Sequence, residues 1–220
     1  MHISVNNLIQ IEEEIQLNIE KLDKFKKKPK IIAVSKTHPM SNIMPLINHG
    51  HLDYGENKIQ EALVKWTDIK NKKKDIKLHL IGKLQTNKVK FALQIFDYIH
   101  SLDNEKLAIK IADQQIKQKK NPKIFIQVNI GNEEQKSGID RQKISDFYKF
   151  CKNLNLDIIG LMCIPPNDEN VEMYFSEMNK ISKELNLKKL SMGMSSDYLN
   201  AIKNNSTHVR IGSKIFGNRI

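Results

Sequence analysis

The sequence predicts a single (β/α)₈ barrel of the TIM type carrying an extra N-terminal helix, and three observations carry that expectation. Eight short apolar runs alternate with stretches whose apolar residues recur at helical spacing. The chain has 220 residues, inside the roughly 200–250 that suit one such barrel. No Gly-x-Gly-x-x-Gly follows the first apolar run, which weakens the competing open, doubly wound sheet. Residues 1–220 therefore read as one domain, with 1–28 as an outer helical segment.

That first segment is justified by Leu8, Ile11, Ile15, Ile19 and Leu22, which share one face of a helix over 6–24. Glu12, Glu13 and Glu14 sit toward its start and Lys21 and Lys24 toward its end, an order that complements the helix dipole. The first strand is the run Ile31-Ile32-Ala33-Val34-Ser35-Lys36, expected over 31–36. Further strands are expected at 52–54, 78–81, 97–100, 123–128, 157–161, 188–191 and 207–211. The intervals carry helical patterns near 41–48, 57–67, 86–94, 104–119, 140–152, 168–185 and 195–203. No linker, low-complexity stretch or repeat other than the βα period itself is present.

Composition excludes several classes. The 40% hydrophobic and 28% charged residues are those of a soluble globular chain. No apolar run approaches the roughly 20 residues that span a bilayer, so no membrane partner is expected. Met1-His2-Ile3-Ser4-Val5-Asn6-Asn7 lacks a basic region followed by an apolar stretch, so no secretory signal is read. Cys151 and Cys163 are too few for a disulfide framework or a cysteine-rich metal site, and a reducing cytoplasm is the expected compartment. The seven histidines, His2, His38, His49, His51, His79, His100 and His208, show no metal-ligand spacing.

A net charge of +11 invites a nucleic-acid reading. The lysines, however, come in short runs, Lys26-Lys27-Lys28 and Lys72-Lys73-Lys74, without interleaved aromatics or a binding motif. Asn and Ile are abundant too, as nucleotide bias in the coding DNA would produce. Solvated lysines are the reading adopted, with no nucleic-acid partner.

Lys36 carries the functional signal. A lysine closing a buried strand is disfavoured as the ammonium ion, so its amine is able to attack a carbonyl. A second strand, Thr207-His208-Val209-Arg210-Ile211, runs into the small, amide-rich Gly212-Ser213. A reactive amine at one strand tip and an anion-binding turn at another suggest a phosphorylated aldehyde held as an imine, the chemistry of pyridoxal 5′-phosphate. In a barrel the site gathers at the carboxyl ends of the strands, with phosphate near the seventh and eighth. Lys36 ends the first strand, Ser195 follows the seventh, and Arg210, Gly212 and Ser213 end the eighth, which closes against the first. Plainer readings stand beside these: a snorkelling lysine, Ser195 as an N-cap with Asp197 in the first turn, Gly212 as a turn residue, Arg210 in a surface ion pair, and His79 as a satisfied core histidine. Met192 and Met194 would line a ring pocket or simply fill core space. Asn129, ending Ile126-Gln127-Val128-Asn129, points to the barrel mouth by position. No role is assigned to His38 or Ser196.

The blocks Ala33-Val34-Ser35-Lys36-Thr37, Tyr54-Gly55-Glu56-Asn57 with Gln60-Glu61, and His79-Leu80-Ile81-Gly82-Lys83-Leu84-Gln85-Thr86-Asn87-Lys88 form an ordered series. It continues through Ser137-Gly138, Gly160-Leu161-Met162, Leu190-Ser191-Met192-Gly193-Met194-Ser195, Asp197, Val209-Arg210-Ile211-Gly212-Ser213 and Phe216-Gly217. Together the series resembles the pyridoxal-phosphate homeostasis protein family, whose fold is similar to the N-terminal barrel of alanine racemases. The resemblance implies that Lys36 forms the Schiff base and that Ser195, Gly212 and Ser213 make the phosphate cup. It also implies that Arg210 faces the pyridine nitrogen and leaves it unprotonated, which weakens the cofactor as an electron sink. Asn57 and His79 come next as cofactor neighbours.

A racemase-like enzyme, the alternative, needs a second acid/base opposite the lysine, which the racemases take from a tyrosine of a separate C-terminal domain. This chain ends at Ile220, and Tyr54, Tyr98, Tyr148, Tyr174 and Tyr198 fall outside any segment resembling that domain. The resemblance thus implies a monomer with little or no catalysis that holds or supplies the cofactor, with cofactor-dependent apo-enzymes as recipients, and influences amino-acid and keto-acid balance. A Schiff-base aldolase fits the phosphate cup and Arg210 less well.

Overall fold

A computed structural model of the chain describes residues 1–22, 27–133, 135, 137–166 and 168–217. Eight parallel strands close into a barrel in sequence order: β1 (Lys30–Val34), β2 (Asp53–Glu56), β3 (Lys77–Leu80), β4 (Tyr98–Leu102), β5 (Lys123–Val128), β6 (Ile158–Cys163), β7 (Lys189–Ser191) and β8 (His208–Ile211). β1 completes the ring by pairing with β8, Ile32 opposite Arg210 and Ala33 opposite Ile211. Helices lie between the strands: α2 (Met40–His49), α3 (Ile59–Lys72), α4 (Val89–Ile95), α5 (Glu105–Gln118), α6 (Ile144–Asn153), α7 (Val171–Glu184) and α8 (Tyr198–Lys203). A four-residue turn of helix, α9 (Ser213–Phe216), follows β8.

The N-terminal helix α1 (Ile3–Leu22) is an addition to the barrel, packed against α2, α8 and α9. It begins three residues before the expected start, because Ser4 and Val5 are buried and the Ser4 amide donates to His2 Nδ1. Glu12, Glu13 and Glu14 are consequently mid-helix and do not serve its N-terminal dipole. Lys24 and Lys26 lie outside the described residues, whereas Lys27, Lys28 and Lys72–Lys74 are exposed.

The main core fills the layer between strands and helices, where Leu8, Ile11, Ile15, Trp66, Phe175 and their neighbours are almost wholly buried. Inside the barrel the packing is of another kind. Tyr98, Phe125 and Met162 form a small apolar cluster, and His79, His100, Ser191, His208 and Arg210 are buried beside it. No described helix is long and apolar enough to cross a membrane, and among the described residues no group of three or more His, Cys, Asp or Glu side chains could hold a metal ion.

Candidate functional site

A cleft of about 360 Å³ opens at the carboxyl end of the barrel. Its lining brings together Lys36, Asn57, Ser195, Arg210, Gly212 and Ser213, with Val34, Ile81, Ile164 and Met194 as apolar walls. Lys36 and Arg210 contribute cations, and among the described lining residues there is no aspartate or glutamate. The cleft therefore suits an anion with an apolar body.

Lys36 does not end the strand itself. β1 stops at Val34, and Ser35–Thr37 turn over the barrel rim, Thr37 taking φ 67°. The turn is held from beneath by an ionic lattice. Glu56 Oε1 accepts from Ser35 Oγ at 2.8 Å and from Trp66 Nε1 at 2.9 Å, and pairs with Lys65 Nζ at 2.9 Å. Lys65 in turn donates to the carbonyls of Ser35 and His38 at 2.8 and 3.2 Å. Glu61 Oε1 takes the Thr37 amide at 2.6 Å. Both backbone arms flanking Lys36 are thus pinned to α3.

Asn57 owes its place at the rim to a glycine. A Cβ on Gly82 would stand 2.4 Å from the Asn57 carbonyl oxygen, so only a glycine lets the loops after β2 and β3 touch. The Ile81 amide donates to the Glu56 carbonyl across the same contact.

Past the ends of β7 and β8, the Ser195 hydroxyl accepts from the amides of Gly212 and Lys214 at 3.3 and 3.4 Å. Hydroxyl and amide groups thereby converge on one corner of the cleft. Ser195 is not an N-cap: α8 starts at Tyr198, so Asp197 takes the cap position. Its Oδ1 accepts the Met194 amide at 2.5 Å and closes the loop. Lys214 Nζ is tied to Glu14 of α1 at 2.8 Å and to Tyr198 Oη at 2.9 Å, and Tyr198 also bonds Glu14. The helix added at the N-terminus thus braces this corner.

Arg210 is buried, which rules out the surface ion pair. Its Nη1 donates to Ser191 Oγ at 2.8 Å and its Nη2 to the Cys163 carbonyl at 2.9 Å. Burial lowers its pKa, from a starting value so high that the cation persists at neutral pH. Five N–H groups and two bonds leave donors to spare for the cleft.

Two expected site residues do not line the cleft. His79 lies inside the barrel at 0% exposure, bonded to Asp53 and His100. Its β3 position is level with Gly55 and Tyr98, below the rim. Asn129 spends its amide on a local turn, accepting from the Glu133 amide and donating to the Glu133 carbonyl. Of the methionines, Met194 lines the cleft and Met192 is fully buried in the main core. Sequence reasoning passed over His38 and Ser196, both of which line the cleft; His38 stacks on Phe216 with centroids 4.8 Å apart. Proximity to Lys36 and Ser195 was the only signal for either.

Comparison with known proteins agrees with the barrel fold. The family model "Alanine racemase, N-terminal domain" matches residues 12–219. The pyridoxal phosphate homeostasis protein of Aquifex aeolicus is 37% identical over 222 residues, covering 96% of both chains. That of Escherichia coli K12 is 32% identical over 229 residues, covering 100% of this chain and 98% of its own. The structure of PipY from Synechococcus elongatus with pyridoxal phosphate bound superposes with a TM-score of 0.85 at 30% identity, covering 98% of this chain and 100% of PipY. An alanine racemase of Clostridium difficile, at 13% identity and a TM-score of 0.68, shares the fold over 94% of this chain and 56% of its own. On a match that runs almost end to end, the chain belongs to the pyridoxal phosphate homeostasis protein family.

Proposed function

We propose that this protein binds pyridoxal 5′-phosphate in the barrel-mouth cleft and holds it for supply to other proteins, with little or no catalysis of its own. The observation that carries the reading is the donor set: an amine, a cluster of hydroxyl and amide groups and a guanidinium surround one cleft that no described acid lines. Each fits one part of that ligand. Lys36 Nζ would bond to the aldehyde carbon, with loss of one water, to give a Schiff base. Ser195, Gly212, Ser213 and the Lys214 amide would receive the phosphate. A spare N–H of Arg210 would donate to the ring nitrogen. Asn57 would sit at the ring's edge. When bound, the group supplies an aldehyde and a pyridine ring able to draw electrons; donation from a permanently charged arginine keeps the ring nitrogen unprotonated and weakens that draw.

The relatives' names support a homeostatic role, and so does the cleft. A racemase needs a second acid or base facing the lysine, and no tyrosine is among the described lining residues. Every group named comes from one chain, so a monomer suffices for binding. Cofactor-dependent apo-enzymes are the recipients this reading implies, with amino-acid and keto-acid balance as its consequence in the cell.

Reduction with borohydride after incubation with pyridoxal phosphate, followed by peptide mass spectrometry, tests the tether. One phosphopyridoxyl group on Lys36, absent from Lys36→Ala, is the expected result; a wild-type protein that takes up no cofactor overturns the reading. Incubating the loaded protein with D- and L-amino acids tests the second half. Turnover at about 1 per second or faster would replace the carrier with an enzyme.

A further inference from the structure

The barrel interior holds a polar chain that the proposed function leaves unused. It starts at Arg210 on β8, crosses to Ser191 on β7 (2.8 Å), reaches His100 Nδ1 on β4 (2.8 Å), passes from His100 Nε2 to His79 Nδ1 on β3 (3.0 Å), and ends at Asp53 Oδ1 on β2 (3.0 Å). One end opens into the cleft. The other, at the amino-terminal end of β2, is paired with the half-exposed Lys30.

Its proton order follows from its ends. A guanidinium only donates and a carboxylate only accepts. Asp53 therefore takes the proton of His79 Nε2, which leaves Nδ1 of a neutral His79 bare. That nitrogen needs the Nε2 proton of His100, whose bare Nδ1 then needs the Ser191 hydroxyl proton. Ser191 is left with its lone pairs turned to Arg210. With neutral imidazoles no other arrangement satisfies every bond, and burial does hold both histidines below the ordinary imidazole pKa. The rings have little room to turn: His79 stacks on Tyr98 at 4.2 Å and His100 on Phe125 at 4.3 Å.

We propose that Asp53, His79, His100 and Ser191 are positioning residues that form a one-way hydrogen-bond chain through the barrel and fix how Arg210 presents its remaining N–H groups to the cleft. A hydroxyl with a free rotor could turn its proton toward the guanidinium and release it; one whose proton is committed to His100 cannot. This rests on the reading that Arg210 faces the ring nitrogen of pyridoxal phosphate.

Two measurements test it, and they fail separately. Long-range ¹H–¹⁵N spectra of histidine-labelled, ligand-free protein at pH 7, assigned with His79→Gln and His100→Gln, should show both rings neutral and protonated on Nε2. An Nδ1–H tautomer or an imidazolium at either ring overturns the chain, whatever the ligand. The second measurement compares the affinity for pyridoxal phosphate with that for its analogue carrying C–H in place of the ring nitrogen. Wild type should favour the nitrogen by roughly tenfold to a hundredfold, the range of a hydrogen bond from a charged donor. Ser191→Ala should erase most of that ratio and Ser191→Thr should keep it. A purely structural role would weaken both ligands equally and leave the ratio intact, which overturns the proposal. Wild type that binds neither ligand overturns the cofactor reading instead, and the spectra still decide the proton order.

Discussion

Lys65 Nζ stands 2.9 Å from Glu56 Oε1 and 2.8 Å from the Ser35 carbonyl oxygen, so the ion pair beneath the Lys36 turn is also the strut that shapes it. The Glu56 side chain is fully buried and that of Lys65 is 11% exposed. A buried pair of this kind contributes little net stability, yet removing one partner leaves an uncompensated charge.

Lys65→Met should therefore lower the free energy of unfolding by about 3–5 kcal/mol in urea titrations. It should also reduce borohydride-trapped label on Lys36, since the carbonyls of Ser35 and His38 lose the ammonium that donates to both. Adding Glu56→Gln to that variant removes the stranded charge and keeps an acceptor for Ser35 and Trp66. The double variant should regain at least half of the lost stability. If Lys65→Met unfolds at the wild-type midpoint, the strut carries no weight.

Gly82→Ala tests the contact that seats Asn57. The new methyl would meet backbone, 2.4 Å from the Asn57 carbonyl oxygen and 2.8 Å from its Cα, so one loop must move. A loss of about 1–3 kcal/mol is expected, as for overpacking elsewhere, together with weaker uptake of pyridoxal phosphate followed by its absorbance. Gly50→Ala is the control. Gly50 also resists substitution, with φ 99° at the end of α2, but its missing Cβ faces open space. It should cost about 1 kcal/mol of backbone strain and leave cofactor uptake unchanged.

Much of this was legible in the chain because barrels impose two periods on it. Buried strands read as apolar runs and outer helices as amphipathic ones, and β5 falls on the expected 123–128 without a shift. Boundaries slipped where tertiary contacts decide them. β1 ends at Val34 and not at Lys36, because Ser35 turns its hydroxyl down to Glu56. The cleft residues were legible through the rule that strand carboxyl ends converge. His79 was not, because the height of a side chain along the barrel depends on strand stagger, which spacing does not reveal. Asn129 sits at a strand end, but its amide is consumed by the turn that follows. His38 was missed because the positive φ of Thr37 folds the chain back toward the cleft.

The two thiols should be silent in the native protein. Cys151 and Cys163 are both at 0% exposure, and burial pushes each pKa up to about 12, so hardly any thiolate exists at neutral pH. Ellman's reagent at pH 8 should find no reactive thiol before denaturation and two per chain in urea. Native thiols that react within minutes would show that α6 or β6 opens far below the global unfolding free energy.

Acid should destabilise this fold through its histidines before its carboxylates. Burial lowers the pKa of His208 to about 3, against roughly 6.5 in an unfolded chain. The unfolded state thus binds the extra proton. The stability involved is complete above about pH 6.5 and is lost as pH falls toward 3, at about 1.4 kcal/mol per pH unit. His51, His79 and His100 shift in the same direction, chiefly by burial. Asp53 behaves differently: burial would raise its pKa, but the His79 hydrogen bond and Lys30 carry it down to about 2. Its contribution is present above its ordinary value of 3.8 and fades only below it. Between pH 6 and 5 the slope of unfolding free energy against pH therefore counts mainly histidines. Glu14, held low by its Lys214 hydrogen bond, and Glu61, which burial would raise but Lys65 holds low, enter near their ordinary 4.5. His208→Gln should lower that slope by one proton's worth, about 1.4 kcal/mol per unit, and raise stability at pH 4.5 relative to pH 7.5. An unchanged slope in the variant would mean that His208 already takes up its proton in the folded barrel.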